Sequence, residues 1–282
     1  MLLAKYTTLR YFHLMRSELT RSMSTADYVT NLAAAGRHSF TTRDAEVALG
    51  KSPVAIRAAL RRLAIHGAIA SPIRGFHVIV PPEYRRLGCL PPDQFVPDLM
   101  AALGLDYYVG LVSAAQYHGA GHHRPQAFFV MVEKNRDAIE CGAVRVEFVA
   151  KKQVAKVPTV LVNTLRGTVS VASPEATALD LVGYSSHVGG LDAVATVLAE
   201  LAERIDPDAL VAAAKSSPLT WAQRLGHLLD RVDAGPTAQA LHAYVAAKAR
   251  DFTPLQPAWP SAGAPRDPKW YVAINVVVEP DL

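Results

Sequence analysis

Cysteine is nearly absent from this sequence of 282 residues. The two cysteines, Cys89 and Cys141, lie far apart along the chain. Two isolated thiols are too few for a disulfide scaffold or for a thiolate metal site. This cysteine usage fits a reducing compartment, and we therefore expect a cytoplasmic protein.

Long apolar runs are also missing. No run reaches the roughly 18–20 residues that a membrane helix needs, and the runs at residues 128–132 and 274–278 have the length of strands. Residues 1–22 are basic, but no apolar segment or cleavage site follows them, which argues against a secretion signal. We expect no membrane partner, and we interpret residues 1–22 as an extension upstream of an alternative start at Met23.

The sequence signatures of several enzyme classes do not occur in the chain. It has no phosphate-binding loop, no nucleophile elbow and no dinucleotide fingerprint. We therefore predict that the protein is not an enzyme and holds no cofactor. Half of the residues are apolar and 19% are charged, which is typical of globular proteins, and the length favours two domains.

Charge is distributed unevenly along the chain. Residues 37–86 carry nine basic and three acidic groups, whereas residues 87–282 carry sixteen basic and twenty acidic groups. A basic amino-terminal part joined to a mildly acidic larger part favours nucleic-acid binding that is confined to the front of the chain.

Residues 23–90 predict three helices followed by a two-stranded hairpin. Thr41 and Asp44 have the spacing of a capping box, and Ser52 followed by Pro53 is a typical helix start. For the first helix the predicted N-cap is Thr25. The predicted bounds are residues 25–35, 41–50 and 52–66 for the helices, 38–40 for an extended piece, and 68–71 and 76–80 for the strands. This order predicts a winged helix-turn-helix domain that binds double-stranded DNA.

The third helix is the predicted recognition helix, and its exposed face is basic. We expect its first turns to face the major groove and read base edges; these residues are Lys51, Ser52, Val54, Ala55 and Ala58. We expect phosphate contacts from arginines on the helix, at the wing tip and on the flanking elements; these are Arg57, Arg61, Arg62, Arg74, Arg37 and Arg43. Small residues at the helix start favour recognition of DNA shape, or of the spacing of inverted repeats by a pair of copies.

A proline-punctuated connection places the domain boundary near residue 90. Beyond it, residues 91–183 predict an α+β part, residues 190–250 a helical part and residues 268–282 a closing strand. The predicted helices are residues 98–103, 107–117, 173–183, 191–203, 207–215, 220–232 and 236–249, and the predicted strands are 127–133, 144–149, 159–163, 167–171 and 270–278. The fold class is therefore α+β, with a winged helix-turn-helix domain before a larger mixed α/β domain.

Two groups of side chains could support chemistry in the larger part. His118, His122 and His123 suggest a metal, but Gly119 and Gly121 interrupt the helix that would align them, and we favour structural histidines without a bound metal. The acidic and basic residues that could form a metal-dependent nuclease are Glu147, Lys151, Glu175 and Asp180. Their spacing is loose, Glu175 sits at a helix start, and Asp180 is expected near solvent, so we favour structural roles.

Four segments resemble AbiEi-like antitoxins of type IV toxin–antitoxin systems. They are residues 74–81 (RGFHVIVP), 107–120 (YYVGLVSAAQYHGA) with 122–126 (HHRPQ), 173–181 (SPEATALDL) and the tail around Trp270. The resemblance implies an amino-terminal domain that represses its own operon at promoter DNA. It also implies an antitoxin domain at 91–282 that neutralises a nucleotidyltransferase-like toxin, by direct or indirect antagonism.

Two other functions are compatible with the sequence. A winged-helix transcription factor whose larger domain senses a small ligand would have a pocket in that domain. A nuclease guided to DNA by the winged helix would need the carboxylates named above to converge, and we place it last.

Overall fold

The computed structural model describes residues 23–121 and 126–281. The predicted extension at 1–22 and the candidate ligands His122 and His123 lie outside these residues. The described chain separates into two compact units. The first comprises residues 23–90 together with 141–143, and the second comprises the rest from residue 91 onward.

Three helices and three short strands form the first unit. They are α1 (Thr25–Ala34), β1 (Ser39–Thr41), α2 (Thr42–Leu49), α3 (Pro53–Ile65), β2 (Ile69–Ile73) and β3 (Phe76–Ile79). Strand β3 lies between β1 and β2 and pairs antiparallel with both. This arrangement is a winged helix-turn-helix, with the β2–β3 hairpin as the wing.

Local side-chain caps explain where α2 and α3 begin. Thr41 Oγ1 accepts from the Asp44 amide at 3.1 Å, while Asp44 Oδ2 accepts from the Thr41 amide at 2.8 Å. The Ser52 hydroxyl accepts from the Ala55 amide at 3.3 Å at the start of α3. Between them Gly50 ends α2 in the left-handed region, with φ of 59°. The two helices are therefore joined by a turn that the sequence specifies locally.

The predicted cap of α1 was wrong by one residue. Ser24, and not Thr25, is the N-cap: its hydroxyl accepts from the Asp27 amide at 3.0 Å, and Asp27 returns the bond to the Ser24 amide at 3.2 Å. Thr25 is buried in the first turn. The capping box at Ser24 and Asp27 satisfies two backbone amides that would otherwise lack partners. A cap by the Thr25 hydroxyl alone would satisfy only one, and for this reason the helix begins after Ser24.

One apolar core holds the first unit together. Its members come from all three helices and from all three strands: Tyr28, Val29, Leu32, Phe40, Ala45, Ile56, Leu60, Ile69 and Ile79. Tyr28 and Phe40 meet edge-to-face with ring centroids 5.6 Å apart. Because α3 contributes only its inward face to this core, its opposite face is left to solvent.

The second unit is built on a six-stranded mixed sheet. Its strands are β4 (Tyr107–Val109), β5 (Phe128–Val132), β6 (Ile139–Cys141), β7 (Val144–Ala150), β8 (Thr159–Thr164) and β9 (Gly167–Ala172), in the order β6-β7-β5-β4-β9-β8. The last residue of β6, Cys141, is counted with the first unit. Strand β4 is antiparallel to β5 and parallel to β9, while β5 and β7 are parallel. Strands β8 and β9 form an antiparallel hairpin at one side.

A strand occupies the place where the sequence predicted a continuous helix over residues 107–117. Tyr107–Val109 forms β4 between β5 and β9, and the helix begins only at Leu111. Gly110 separates the two elements, and a Cβ there would lie 2.5 Å from the Met131 side chain. The chain turns sharply at this point, because Leu111 has a φ of 54°.

Helices complete the second unit. They are α4 (Val96–Leu103), α5 (Leu111–Tyr117), α6 (Pro174–Gly183), α7 (Leu191–Leu201), α8 (Pro207–Lys215), α9 (Leu219–Arg231) and α10 (Gly235–Lys248). From α6 onward their bounds agree with the predicted ones to within two residues. Residues 175–182 of α6 are all buried, so this helix forms the centre of the helical layer. The predicted α+β class is confirmed.

The predicted closing strand at 270–278 was wrong. Only Val272–Ala273 is a strand (β12), in a small separate sheet with β10 (Thr253–Pro254) and β11 (Arg266–Asp267). The Asn275 amide nitrogen, Nδ2, donates to the carbonyls of Gln256 and Trp259 at 2.9 Å each, and its backbone amide bonds back to Ala273. The chain therefore turns where an extended strand was expected.

Helix α9 anchors this last segment through buried polar side chains. Arg224 Nε donates to the Pro254 carbonyl at 2.9 Å, and His227 Nδ1 lies 2.6 Å from the Asp267 carboxylate. Both α9 side chains are largely buried. Among the described residues, no helix is long and apolar enough to cross a membrane.

Candidate nucleic-acid interface

The outward face of α3 is a continuous line of exposed residues. Ile56 and Leu60 are buried on the inward face. Positions spaced by four and three residues lie along one side of a helix, and the line opposite the core runs through Val54, Ala58, Arg61 and Ile65. Val54 and Ile65 are 69% and 72% exposed although both are apolar. An exposed apolar residue at the start of a recognition helix can contact a thymine methyl group in the major groove.

The two polar residues predicted to read bases already have partners within the first unit. Lys51 Nζ donates to the Met23 carbonyl at 2.8 Å, and the Ser52 hydroxyl caps α3. Both therefore help to fix the helix-turn-helix geometry. The other three residues predicted to face the groove, Val54, Ala55 and Ala58, are exposed and have apolar side chains that make no hydrogen bond.

All six arginines predicted to contact phosphate are exposed: Arg37, Arg43, Arg57, Arg61, Arg62 and Arg74. Within the part of the chain that the structure describes, no carboxylate lies within 4.0 Å of any of them. Helix α3 itself contains no acidic residue. The positive potential of this face is therefore not neutralised by neighbouring side chains, which suits a polyanion.

The wing presents one arginine at its tip. Ile73 pairs with Phe76, so the turn consists of Arg74 and Gly75 alone, shorter than the four residues predicted. Gly75 has a φ of 86°, which permits the tight turn. Below it His77 is buried between two hydroxyls, Thr42 Oγ1 at 2.9 Å from Nε2 and Ser71 Oγ at 2.8 Å from Nδ1.

His118 has a structural partner. Its Nε2 donates to the Ala172 carbonyl at 2.7 Å, which ties α5 to the end of β9. Across residues 23–121 and 126–281, no group of three or more His, Cys, Asp or Glu side chains could hold a metal ion.

The four residues considered as a nuclease set do not converge. The Glu147 carboxylate binds Arg145 on the same strand, and Glu175 Oε1 accepts from the Asp206 amide at 3.0 Å. Only Lys151 and Asp180 meet, as an ion pair. The prediction that Asp180 lies near solvent was wrong, because its side chain is completely buried.

Asp180 belongs to a buried polar cluster that the sequence did not indicate. Besides Lys151, its carboxylate accepts from the Tyr108 hydroxyl at 2.7 Å. The Lys151 ammonium lies 5.4 Å from the centre of the Trp221 ring, a favourable cation–π distance. Burial raises the pKa of Asp180 above its ordinary value, while Lys151 and Tyr108 act in the opposite direction. The cluster joins β4, the end of β7, α6 and α9.

Residues 108–231 match the family model of the AbiEi antitoxin C-terminal domain. Over these residues, somewhat less than half of the chain, the protein is similar to AbiEi antitoxin domains. The match begins in β4 and ends with α9, so it covers nearly all of the six-stranded sheet, helices α5–α9 and the buried cluster around Asp180. This match confirms the resemblance found in the sequence, and it supports an antitoxin role.

The crystal structure of the RV2827C protein from Mycobacterium tuberculosis has a similar fold. It aligns with a TM-score of 0.62 over 87% of this chain and 89% of that one, at 18% sequence identity. At this identity the likeness concerns the fold, and it extends beyond the AbiEi antitoxin domain to most of the chain. No curated protein sequence matches the chain.

Proposed function

We propose that this AbiEi-domain protein is the antitoxin of a type IV toxin–antitoxin pair. Its winged helix binds promoter DNA and represses its own operon, and its larger domain neutralises a nucleotidyltransferase-like toxin. The observation that supports the DNA-binding half most strongly is the acid-free outer face of α3. There Arg57, Arg61 and Arg62 are exposed and unpaired with any described carboxylate.

Phosphate contacts account for most of the proposed affinity. Each phosphate neutralised by an arginine releases condensed counterions and steepens the salt dependence of binding by about 0.9 in the logarithmic slope. The double variant Arg57→Ala/Arg61→Ala should therefore bind the promoter more weakly and lower that slope by roughly 2.

Fluorescence anisotropy with the protein's own promoter, measured from low to moderate salt, gives both quantities. Arg204→Ala/Lys215→Ala is the matched control, because both residues are exposed cations of the second unit and their removal lowers the net charge by the same two units without touching α3. If the double variant and this control bind alike, the recognition helix is assigned incorrectly.

The antitoxin half is tested in cells with the full chain. Expression of the neighbouring toxin gene should arrest growth, and co-expression of this protein should restore it. Because the proposal places antitoxicity in the larger domain, the Arg57→Ala/Arg61→Ala variant should still restore growth while it no longer represses the promoter. Promoter binding without any rescue of growth would instead favour a ligand-responsive transcription factor.

A further inference from the structure

Two cysteines that are distant in the sequence lie together in the first unit. The segment 141–143 belongs to that unit, and there the Ala143 amide donates to the Leu87 carbonyl at 2.7 Å. The backbones of Gly88 and Gly142, which follow Leu87 and precede Ala143, are in contact: a Cβ on Gly142 would lie 2.8 Å from the Gly88 Cα atom. The two segments therefore run antiparallel, and the next pair of opposed residues is Cys89 and Cys141.

This register suits a disulfide. Residues directly opposite each other in antiparallel segments have Cα atoms about 4.5–5.5 Å apart, and disulfides join Cα atoms separated by about 4.4–6.8 Å. Both cysteines carry free thiols in this structure. We propose that Cys89 and Cys141 form an oxidation site that closes to an intramolecular disulfide on reaction with a low-molecular-weight disulfide.

The two thiols differ in a way that sets the order of reaction. Cys89 is fully buried, whereas Cys141 is 8% exposed and precedes the exposed Gly142. A hydrogen bond from Cys89 lowers the pKa of Cys141, and the same contact together with burial raises the pKa of Cys89. Since the thiolate is the nucleophile, Cys141 attacks first and Cys89 resolves.

The chemistry is a two-electron exchange. The Cys141 thiolate attacks one sulfur of the small disulfide, and the first small thiolate leaves and takes up a proton. Cys89 then loses its proton, its sulfur attacks the Cys141 sulfur, and the second small thiol is released. Two protein thiols are oxidised to a disulfide, and one small disulfide is reduced to two thiols.

Titration of the folded full-length protein with oxidised glutathione tests the site. The wild type should lose both alkylatable thiols together and two mass units, without an adduct and without dimers. Cys89→Ser should instead accumulate one glutathione on Cys141, and Cys141→Ser should stay unmodified because Cys89 is buried. Wild-type protein that keeps both thiols, or that ends as an adduct or a dimer, would overturn the proposal.

A glycine pair supplies a structural control. Gly142→Ala should slow closure, because its Cβ would lie 2.2 Å from the Leu87 carbonyl oxygen and force the segments apart. Gly104→Ala places an alanine at nearly the same φ, 63° against 61°, with nothing within 4 Å of the new Cβ. Equal closure rates in the two variants would show that the close approach at Gly142 does not position the thiols. This inference does not depend on the proposed antitoxin function.

Discussion

The buried pair of Lys151 and Asp180 makes a strong prediction about stability. Replacing Lys151 by Met removes the cation and leaves the Asp180 carboxylate in a site with no exposure to solvent. Removing one partner of a buried ion pair destabilises a protein by about 3–5 kcal/mol. We expect a loss near the lower end, about 3 kcal/mol, because Asp180 can escape the penalty by binding a proton and because 13% of the Lys151 side chain is exposed.

The pH dependence of this loss has a definite sign. Burial already raises the pKa of Asp180, and without Lys151 the pKa should rise further. The folded state of the variant then binds more protons than the unfolded state above the unfolded pKa of about 3.9. Its stability is therefore fully present below that value and falls as the pH rises through the folded pKa. Lys151→Met should lose more stability at pH 8 than at pH 5.

Urea unfolding followed by circular dichroism at both pH values measures the effect. The control is Lys152→Met, which removes an exposed neighbouring lysine and should change stability by less than about 0.5 kcal/mol. Adding Asp180→Asn to Lys151→Met should recover most of the loss, since asparagine is uncharged and still accepts from Tyr108. If Lys151→Met unfolds like Lys152→Met at both pH values, the buried pair does not contribute as argued.

Three further changes follow from the packing and backbone of the chain. Gly226→Ala should cost about 1–3 kcal/mol by overpacking, because its Cβ would lie 2.1 Å from the Trp270 ring; urea unfolding measures this. Gly50→Ala should lower the free energy of unfolding by about 1–2 kcal/mol, because Gly50, the C-cap of α2, has a φ of 59°. The control for both variants is Gly235→Ala, which lies at an open position with an ordinary φ and should leave the stability unchanged. Burial lowers the pKa of His77, so the first unit should lose stability as the pH falls below the unfolded value of about 6.5, and thermal melts of His77→Asn should lack this dependence.

The first unit could be predicted well because its signals are local. The capping box at Thr41 and the Ser52–Pro53 start fix α2 and α3 within a few residues of sequence. The exposed face of α3 then follows from helical periodicity alone. Even the missed cap at Ser24 was visible, since Asp27 stands three residues later in the spacing of a capping box.

The central strand β4 could not be predicted because distant residues decide it. Its three residues pair with residues 130–132 of β5 on one side, and Val109 pairs with Val171 of β9 on the other. By periodicity, a run of three apolar residues next to a helical pattern fits a strand as well as an extension of the helix. Only the assembled sheet, with β5 and β9 in place, makes the extended conformation the better one.

The same reasoning explains why the sequence did not indicate the burial of Asp180 or the proximity of the two cysteines. Residues 175–182 of α6 are buried on all sides, so no polar face indicates where an acidic residue points. The partners of Asp180 come from β4 and from the end of β7, far away in sequence. Cys89 and Cys141 are likewise brought together only by the fold, through the close backbone approach of Gly88 and Gly142.

The small residues on α3 also restrict how the proposed operator can be recognised. A good bidentate base contact contributes about 1–3 kcal/mol of discrimination, and specific sites are preferred over other DNA by about 4–10 kcal/mol. Val54, Ala55 and Ala58 offer no bidentate group, so we expect the preference to come from DNA shape, or from the spacing of inverted repeats recognised by a pair of copies. If the spacing is what a pair of copies recognises, a duplex with a single half-site should bind no better than random DNA at the same salt concentration. Specific binding to a half-site would mean that an arginine of α3 contacts a base instead of a phosphate. Arg61 would be the first candidate, because it lies on the face of α3 opposite the core.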